Sequence, residues 1–296
     1  MKIKKIKDYL LRLPIYSYTI AYIIIPILYM FLLSFMSKAK TWGFTFSFTL
    51  TNYEKAFSPL YIGIFKDSLK LALLSTTAVI LIGYPYGYFM ARLNETWKKR
   101  LMILIMIPFW TSGLIRLNGW IIIFRSNGIL DKLLMYFNII EKPLKLLYSY
   151  PAVLIGMIYF LLPFMILSVY SSVEKMDWTL VEAARDLGAS KFQAFKSITL
   201  KLTLPGLLSG VVLTFVPSMG LFYIADILGG NKIVLISSVI SEQLTKGRNT
   251  PFAAALSVLL MIVTSLILSL YKKISKTSEL EGLFWKKFRK NQSYFW

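Results

Sequence analysis

The chain has 296 residues, 56% of them hydrophobic, with a mean hydropathy of +0.62 and a formal net charge of +20. A soluble domain of this length is rarely more than about half apolar, so composition points first to a membrane protein. The lack of histidine and cysteine excludes imidazole-based triads, thiolate metal sites and disulfide frameworks.

Lys and Arg cluster in short segments beside long apolar runs, the pattern of topology determinants next to anionic lipid. Membrane lipid, and not nucleic acid, is therefore the expected partner of the charge. Six stretches approach the roughly 20 residues needed to cross a hydrocarbon core. They are expected at about 14–36, 69–91, 101–124, 151–171, 206–228 and 251–271. The first is free of charge, and its eleven Leu, Ile and Phe residues contribute roughly −3 to −6 kcal/mol to insertion. Its flank (Lys2, Lys4, Lys5, Lys7, Arg12) is like a signal-peptide n-region, but the apolar run is too long and lacks a good cleavage site, so a retained anchor is expected.

With the N-terminus inside, the cytoplasmic segments 1–13, 92–100, 172–205 and 272–296 hold 21 basic residues, against 11 in the outer segments 37–68, 125–150 and 229–250. That bias predicts that both termini face the cytoplasm. In the third span Arg116 costs roughly 2.5–3.5 kcal/mol if central, which thirteen Leu, Ile and Phe residues outweigh. Arg116 is expected to face protein or water, bound to a neighbouring helix or clamping a carbonyl. The outer segments are too short for independent domains, so residues 1–296 are expected to form a single transmembrane domain.

The cytoplasmic connection is patterned as well as polar. Asp177 suits a helix N-cap. Leu180, Val181, Ala184 and Leu187 then share one helical face, and Gly188 can take the left-handed turn that ends it. Ser190 is placed to cap a second helix bearing Phe192, Phe195, Ile198 and Leu202. Small Ala183 and Ala184 allow close approach by a partner, and the apolar face asks for one. A helix-turn-helix or a plain surface helix shares the pattern, but the segment lies between two spans.

In the fifth stretch Gly206 and Gly210 form a small-xxx-small pair suited to close helix packing, within the chain or against another subunit. Asp226 is the one acid within an expected span, and Phe222 and Tyr223 precede it by one turn on the same face. Carboxylates with aromatic faces attract organic cations. An ordinary interfacial Asp fits the same position. Trp110, Trp120 and Tyr148 suit either a path lining or an aromatic belt.

Glu182-Ala183-Ala184, Gly188, Ile198 and Leu200 resemble the EAA loop of ABC importer permeases, at six positions with the family's gaps. Lys201 stands where that pattern has proline. Pro108 to Ser112 with Leu114-Ile115-Arg116, Leu180 to Ser190, and Met219 to Tyr223 further resemble the B-type permeases of spermidine/putrescine importers. The resemblance implies an all-α integral membrane protein of the bacterial inner membrane. Its fold would be that of a type I ABC importer permease with six transmembrane helices and a cytoplasmic EAA coupling loop at about 177–205. It implies that Glu182, Ala183, Ala184, Leu187 and Gly188 couple to an ATPase. It also implies a second homologous permease, two cytoplasmic ATPase subunits and an extracytoplasmic substrate-binding protein as partners. Trp110, Phe222, Tyr223 and Asp226 are the candidate path residues for a polyamine.

The chain has no G-x-x-x-x-G-K-[ST] phosphate loop, so ATP and its Mg²⁺ are expected on the partner, with no cofactor and no catalytic residue here. Phosphate, molybdate, sulfate, iron or opines remain alternative cargoes. A self-sufficient secondary transporter would need intramembrane acids, of which Asp226 alone is available.

Overall fold

The computed structural model describes residue 14, residues 17–230 and residues 232–292, the side chains of 272 and 274–292 excepted. The N-terminal basic flank (Lys2 to Arg12) and Asn231 lie outside the described residues, as do the side chains of Lys272 and of every basic residue from Lys276 onward. The chain forms two compact units, one of residues up to Phe65 with Ile236–Val263 and one of Lys66–Leu235 with the residues from Thr264 on.

The first unit opens with α1 (Ser17–Leu33), apolar and largely exposed, with a π turn at Ile20–Ile24. At about 1.5 Å per residue its described part, Ser17–Leu33, is roughly 25 Å long, within the 14–36 stretch expected to span. The next residues were expected to be loop, yet Met36–Lys38 (β1) and Phe44–Phe48 (β2) pair antiparallel, with Ser37 opposite Thr45 and Lys38 opposite Phe44. The period-2 alternation Phe44-Thr45-Phe46-Ser47-Phe48 is the strand signal, and Gly43, at φ +96°, makes the turn. In α2 (Thr51–Ala56) the Asn52 amide donates to the Ser34 and Met36 carbonyls at 3.0 and 2.9 Å, tying the hairpin's base to the helix. A small core of Ala56, Ile236, Val239, Phe252 and Leu256 closes this unit. It draws on α11 (Ile236–Thr245) and on the start of α12 (Thr250–Gln292).

The second unit holds most of α3 (Pro59–Ala91). It then runs through α4 (Glu95–Met106), α5 (Gly113–Phe124), α6 (Ile129–Tyr136), α7 (Tyr150–Glu174), α8 (Thr179–Asp186), α9 (Lys191–Ser218) and α10 (Phe222–Gly229). Its core is α7, buried along most of its length from Ala152 to Val173. Neighbouring helices reach α7 by way of glycine. A Cβ at Gly83 would stand 2.7 Å from Met165 Cγ, one at Gly87 2.9 Å from the Ile166 carbonyl, and one at Gly210 2.6 Å from Met165 Sδ. A Cβ at Gly206 would overlap Ser172, and the Ser168 hydroxyl donates to the Gly206 carbonyl at 2.8 Å. The small-xxx-small pair therefore packs on its own chain's α7. This is close helix packing, as expected, with an intramolecular neighbour.

Among the described residues four helices are long and apolar enough to cross a membrane: Pro59–Ala91, Tyr150–Glu174, Lys191–Ser218 and Thr250–Tyr271. Two expected spans are interrupted. The 101–124 stretch breaks at Thr111–Ser112, where Glu95–Trp110 and Gly113–Tyr136 meet at 97°. Pro108 has no amide to continue the ladder, so the chain tightens into a 3₁₀ turn at Ile107–Trp110 and leaves the helix at Thr111. The 206–228 stretch starts earlier and ends sooner than expected. The second loop helix, capped by Ser190, runs on as α9 to Ser218, and Met219–Leu221 separate it from α10. Between α5 and α7, buried Asp131 organises the connection by accepting the Asn127 and Leu144 amides at 2.9 and 3.2 Å.

Candidate functional site

Two regions of the second unit carry the sequence-predicted residues. The first is α8 and its surroundings. Asp177 sits one residue outside the expected cap: Trp178 is the N-cap, and Asp177 Oδ1 accepts from the Thr179 amide at 3.1 Å and its hydroxyl at 2.6 Å. Gly188 ends the helix at φ +88°, with its amide donating to Arg185 at 2.9 Å. Ser190 and Gln193 then form a reciprocal capping box at 3.2 and 2.8 Å.

The apolar face divides. Leu180, Val181 and Ala184 are half-buried, whereas Leu187 is 90% exposed. Glu182, Ala183 and Gly188 are exposed as well, and so is Phe192, at 72%. Glu182, Ala183, Leu187, Gly188 and Phe192 thus all lie on the outward surface of this helix-turn-helix, together with the charged Arg185, Asp186 and Lys191. The expected face of Leu180, Val181 and Leu187 is corrected to that extent, because the first two face inward.

Beneath α8 lies an aromatic anchor that motif spacing did not reveal. Tyr88 of α3 packs edge-on against Trp178 (6.1 Å between centroids) and against Phe195 of α9 (5.7 Å). Arg92 lies over Trp178 at 5.1 Å and over Tyr88 at 5.7 Å. One turn earlier Tyr84 meets Phe195 at 6.1 Å and shares a 2.9 Å hydrogen bond with the Thr203 hydroxyl. Nearby, Lys98 pairs with Glu95 (2.9 Å) and Glu174 (3.7 Å), and the Tyr170 hydroxyl donates to Glu174. Both ends of the helix-turn-helix thus rest on α3. The available sequence signal was Tyr84 and Tyr88, one helical turn apart.

The second region is the break in the third stretch. Arg116, in the first turn of α5, holds its guanidinium 4.4 Å from the centroid of Phe160 and 5.8 Å from those of Phe109 and Tyr159. The helix-to-helix role expected of Arg116 is met by ring faces. Its Nε is buried without a hydrogen-bond partner. Gly113, just past the break, lies so close to Phe160 that a Cβ would be 3.2 Å from the ring and 3.7 Å from the Tyr223 hydroxyl. Tyr223, just past the break in the fifth stretch, stacks edge-on with Phe160 at 6.0 Å. The two interrupted segments thus meet at Phe160, near the middle of α7.

The structure brings Tyr223 into this cluster. Phe222 adjoins it in sequence, and Asp226 is exposed one turn further along α10. Trp110 is 81% exposed on the 3₁₀ turn before the break, apart from the rings that hold Arg116. Trp120 packs on Tyr159 (5.3 Å) and Phe124 (4.8 Å), while Tyr148 lies against Gly230. Among the described residues no group of three acidic side chains is placed to hold a metal ion.

The family model described as binding-protein-dependent transport system inner membrane component matches residues 83–277. The chain is 39% identical over 262 residues to the spermidine/putrescine transport system permease protein PotB of Haemophilus influenzae, covering 88% of this chain and 92% of that one. It is 40% identical to PotB of Escherichia coli, covering 88% and 95%. Its fold is similar to that of a crystal structure of a bacterial ABC transporter involved in the import of the acidic polysaccharide alginate. The TM-score is 0.70 at 18% identity, covering 93% of this chain and 98% of that one.

Proposed function

Because the chain belongs to the family of binding-protein-dependent transport system inner membrane components, we propose that it is a membrane-spanning subunit of an ATP-driven importer that carries polyamines inward. The observation that carries the cargo is the 40% identity, over nearly the full length of both chains, to permeases named for spermidine and putrescine. The helix-turn-helix supports the mechanism. Glu182, Ala183, Leu187, Gly188 and Phe192 are exposed, with Arg185, Asp186 and Lys191 beside them, giving a surface of apolar side chains ringed by charges of both signs, and an unpartnered patch of this kind is a docking site.

The partner in that reading is a cytoplasmic ATPase that binds ATP and Mg²⁺, two copies per transporter. A second permease of the same family completes the membrane domain, and an extracytoplasmic binding protein delivers the substrate. Both termini and α8 face the cytoplasm, in keeping with the excess of Lys and Arg there. The packing around Tyr88 explains how an ATPase could act on the membrane part. A displacement of α8 or of the start of α9 bears directly on α3, because packed aromatic surfaces shift as units. Breaks in two apolar segments supply backbone that is tolerated at membrane depth only where it faces protein or water, as a translocation path requires. Tyr223, Phe222, Asp226 and Trp110 remain the candidate path residues.

The test is ATP-dependent uptake into proteoliposomes holding the chain with its second permease and ATPase, with ATP trapped in the lumen and the binding protein added outside. Labelled spermidine and putrescine should accumulate, and phosphate, sulfate and molybdate should not. Accumulation of one of those anions with no polyamine uptake would reassign the cargo and keep the class.

A further inference from the structure

A guanidinium at membrane depth is normally held by a carboxylate or by carbonyl groups, because an uncompensated charge there is costly. Arg116 departs from this. Among the described residues no carboxylate lies within ion-pair distance of it, and its buried Nε has no hydrogen-bond partner. Ring faces hold it instead: Phe160 at 4.4 Å, Phe109 and Tyr159 at 5.8 Å. Such a box attracts a cation through the negative faces of the rings and has no anion to tell one organic cation from another. Its position is also particular. Phe160 is touched by Gly113 and Tyr223, the residues that follow the breaks in two apolar segments. In membrane transporters, interrupted helices gather at the substrate path near mid-depth.

We infer that Phe109, Tyr159 and Phe160 form a binding site for an organic ammonium group, and that Arg116 is a tethered cation that fills this site and closes the path when no substrate is present. The inference deepens the reading of the chain as a cation permease and rests on it. A substrate ammonium entering the box must displace Arg116 by charge repulsion and by competition for the same ring faces. Arg116 stands one turn past the break, where the chain can turn at Thr111 and Ser112 without dismantling a helix. The occupied box also explains how a cation permease resists leakage, since an inside-negative potential otherwise draws cations through an open path.

The test uses the complete transporter in proteoliposomes without ATP, with an inside-negative potential and tetramethylammonium as the probe. Wild type should be tight. Arg116→Gln should pass tetramethylammonium roughly tenfold faster or more, since the box then stands open. Arg116→Lys should stay tight, because an ammonium can occupy the same rings. Phe160→Leu, which keeps the arginine and removes its nearest ring, should also leak. Should Arg116→Gln fail to assemble, the Phe160→Leu variant decides the matter, leakage supporting the plug and tightness overturning it. An assembled Arg116→Gln transporter as tight as wild type, or Arg116→Lys as leaky as Arg116→Gln, would overturn it too. ATP-driven spermidine uptake by the wild type is measured alongside. Its absence counts against the polyamine reading alone, since the tetramethylammonium leak does not depend on the natural cargo.

Discussion

Trp178 and Tyr88 pack edge to face with their ring centroids 6.1 Å apart, joining the residue that opens α8 to the C-terminal end of α3. Arg92 covers both rings, and Phe195 meets Tyr88 from the start of α9. One tyrosine therefore receives both sides of the exposed helix-turn-helix. Any force applied to that surface reaches α3 through a few aromatic contacts.

Removing this anchor should uncouple the transporter before it unfolds it. Each aromatic pair is worth about 0.5–1.5 kcal/mol beyond its area, with a similar contribution from the arginine. Trp178→Ala should therefore lower stability by about 1–3 kcal/mol in thermal melts of the assembled complex. ATP hydrolysis should persist, with substrate uptake reduced at least severalfold. Trp178→Phe should recover most uptake. Equal loss of hydrolysis and uptake would instead mark Trp178 as a general stability residue.

The exposed surface itself should be intolerant of change. Glu182→Lys reverses a solvent-facing charge and should weaken co-purification of the ATPase while membrane insertion continues. At Gly188 a side chain would meet nothing within 4 Å, so only its φ of +88° opposes substitution. Gly188→Val should cost about 1–3 kcal/mol of local strain and abolish uptake. Gly188→Asn, which tolerates the left-handed region, should retain much of it. Full uptake by Gly188→Val would show that this turn is not needed for coupling.

Gly206 gives a packing test. A Cβ there overlaps Ser172, whereas one at Gly119 meets nothing. Gly206→Ala should destabilise the purified protein by about 1–3 kcal/mol and disturb the hydrogen bond from Ser168, and Gly119→Ala should be close to neutral. Similar melting shifts for the two would argue against tight α7–α9 contact in the membrane.

Asp226 tests the path. Asp226→Asn keeps the shape and removes the charge. Loss of one interaction with a polycation, about 1–3 kcal/mol, should lower polyamine uptake roughly ten- to hundred-fold with the ATPase still bound. Tyr223→Phe should do less, because the ring that meets Phe160 is retained. Normal transport by Asp226→Asn would place the substrate elsewhere.

Orientation is open to direct labelling, because the natural chain has no cysteine. Ser126 and Thr96 are both exposed and lie on segments assigned to opposite sides. A cysteine at Ser126 should react with an impermeant maleimide added outside intact cells, and one at Thr96 should react only after permeabilisation. Asn94, beside Thr96, is better left intact, since its side chain caps α4 by accepting the Trp97 amide.

What the sequence determined on its own followed from local and periodic physics. The apolar runs gave the membrane class, and α7 and the apolar part of α12 appear almost where the runs place them, because a long uninterrupted apolar helix leaves the chain little alternative. The turn at Gly188 and the capping box at Ser190 were equally legible, since caps and left-handed turns depend on neighbours in sequence. The hairpin is legible as well, in the alternation of Phe44 to Phe48. Tertiary structure alone decided the rest. Summed hydropathy cannot register a 97° break, because Pro108 and the residues after it alter direction without altering apolarity. The half-burial of Leu180 and Val181 beside the exposure of Leu187 depends on what α8 packs against. The rings around Arg116 come from Phe109, Tyr159 and Phe160, up to 51 positions apart in sequence, and only the packing of α7 against two interrupted segments brings them to one cation.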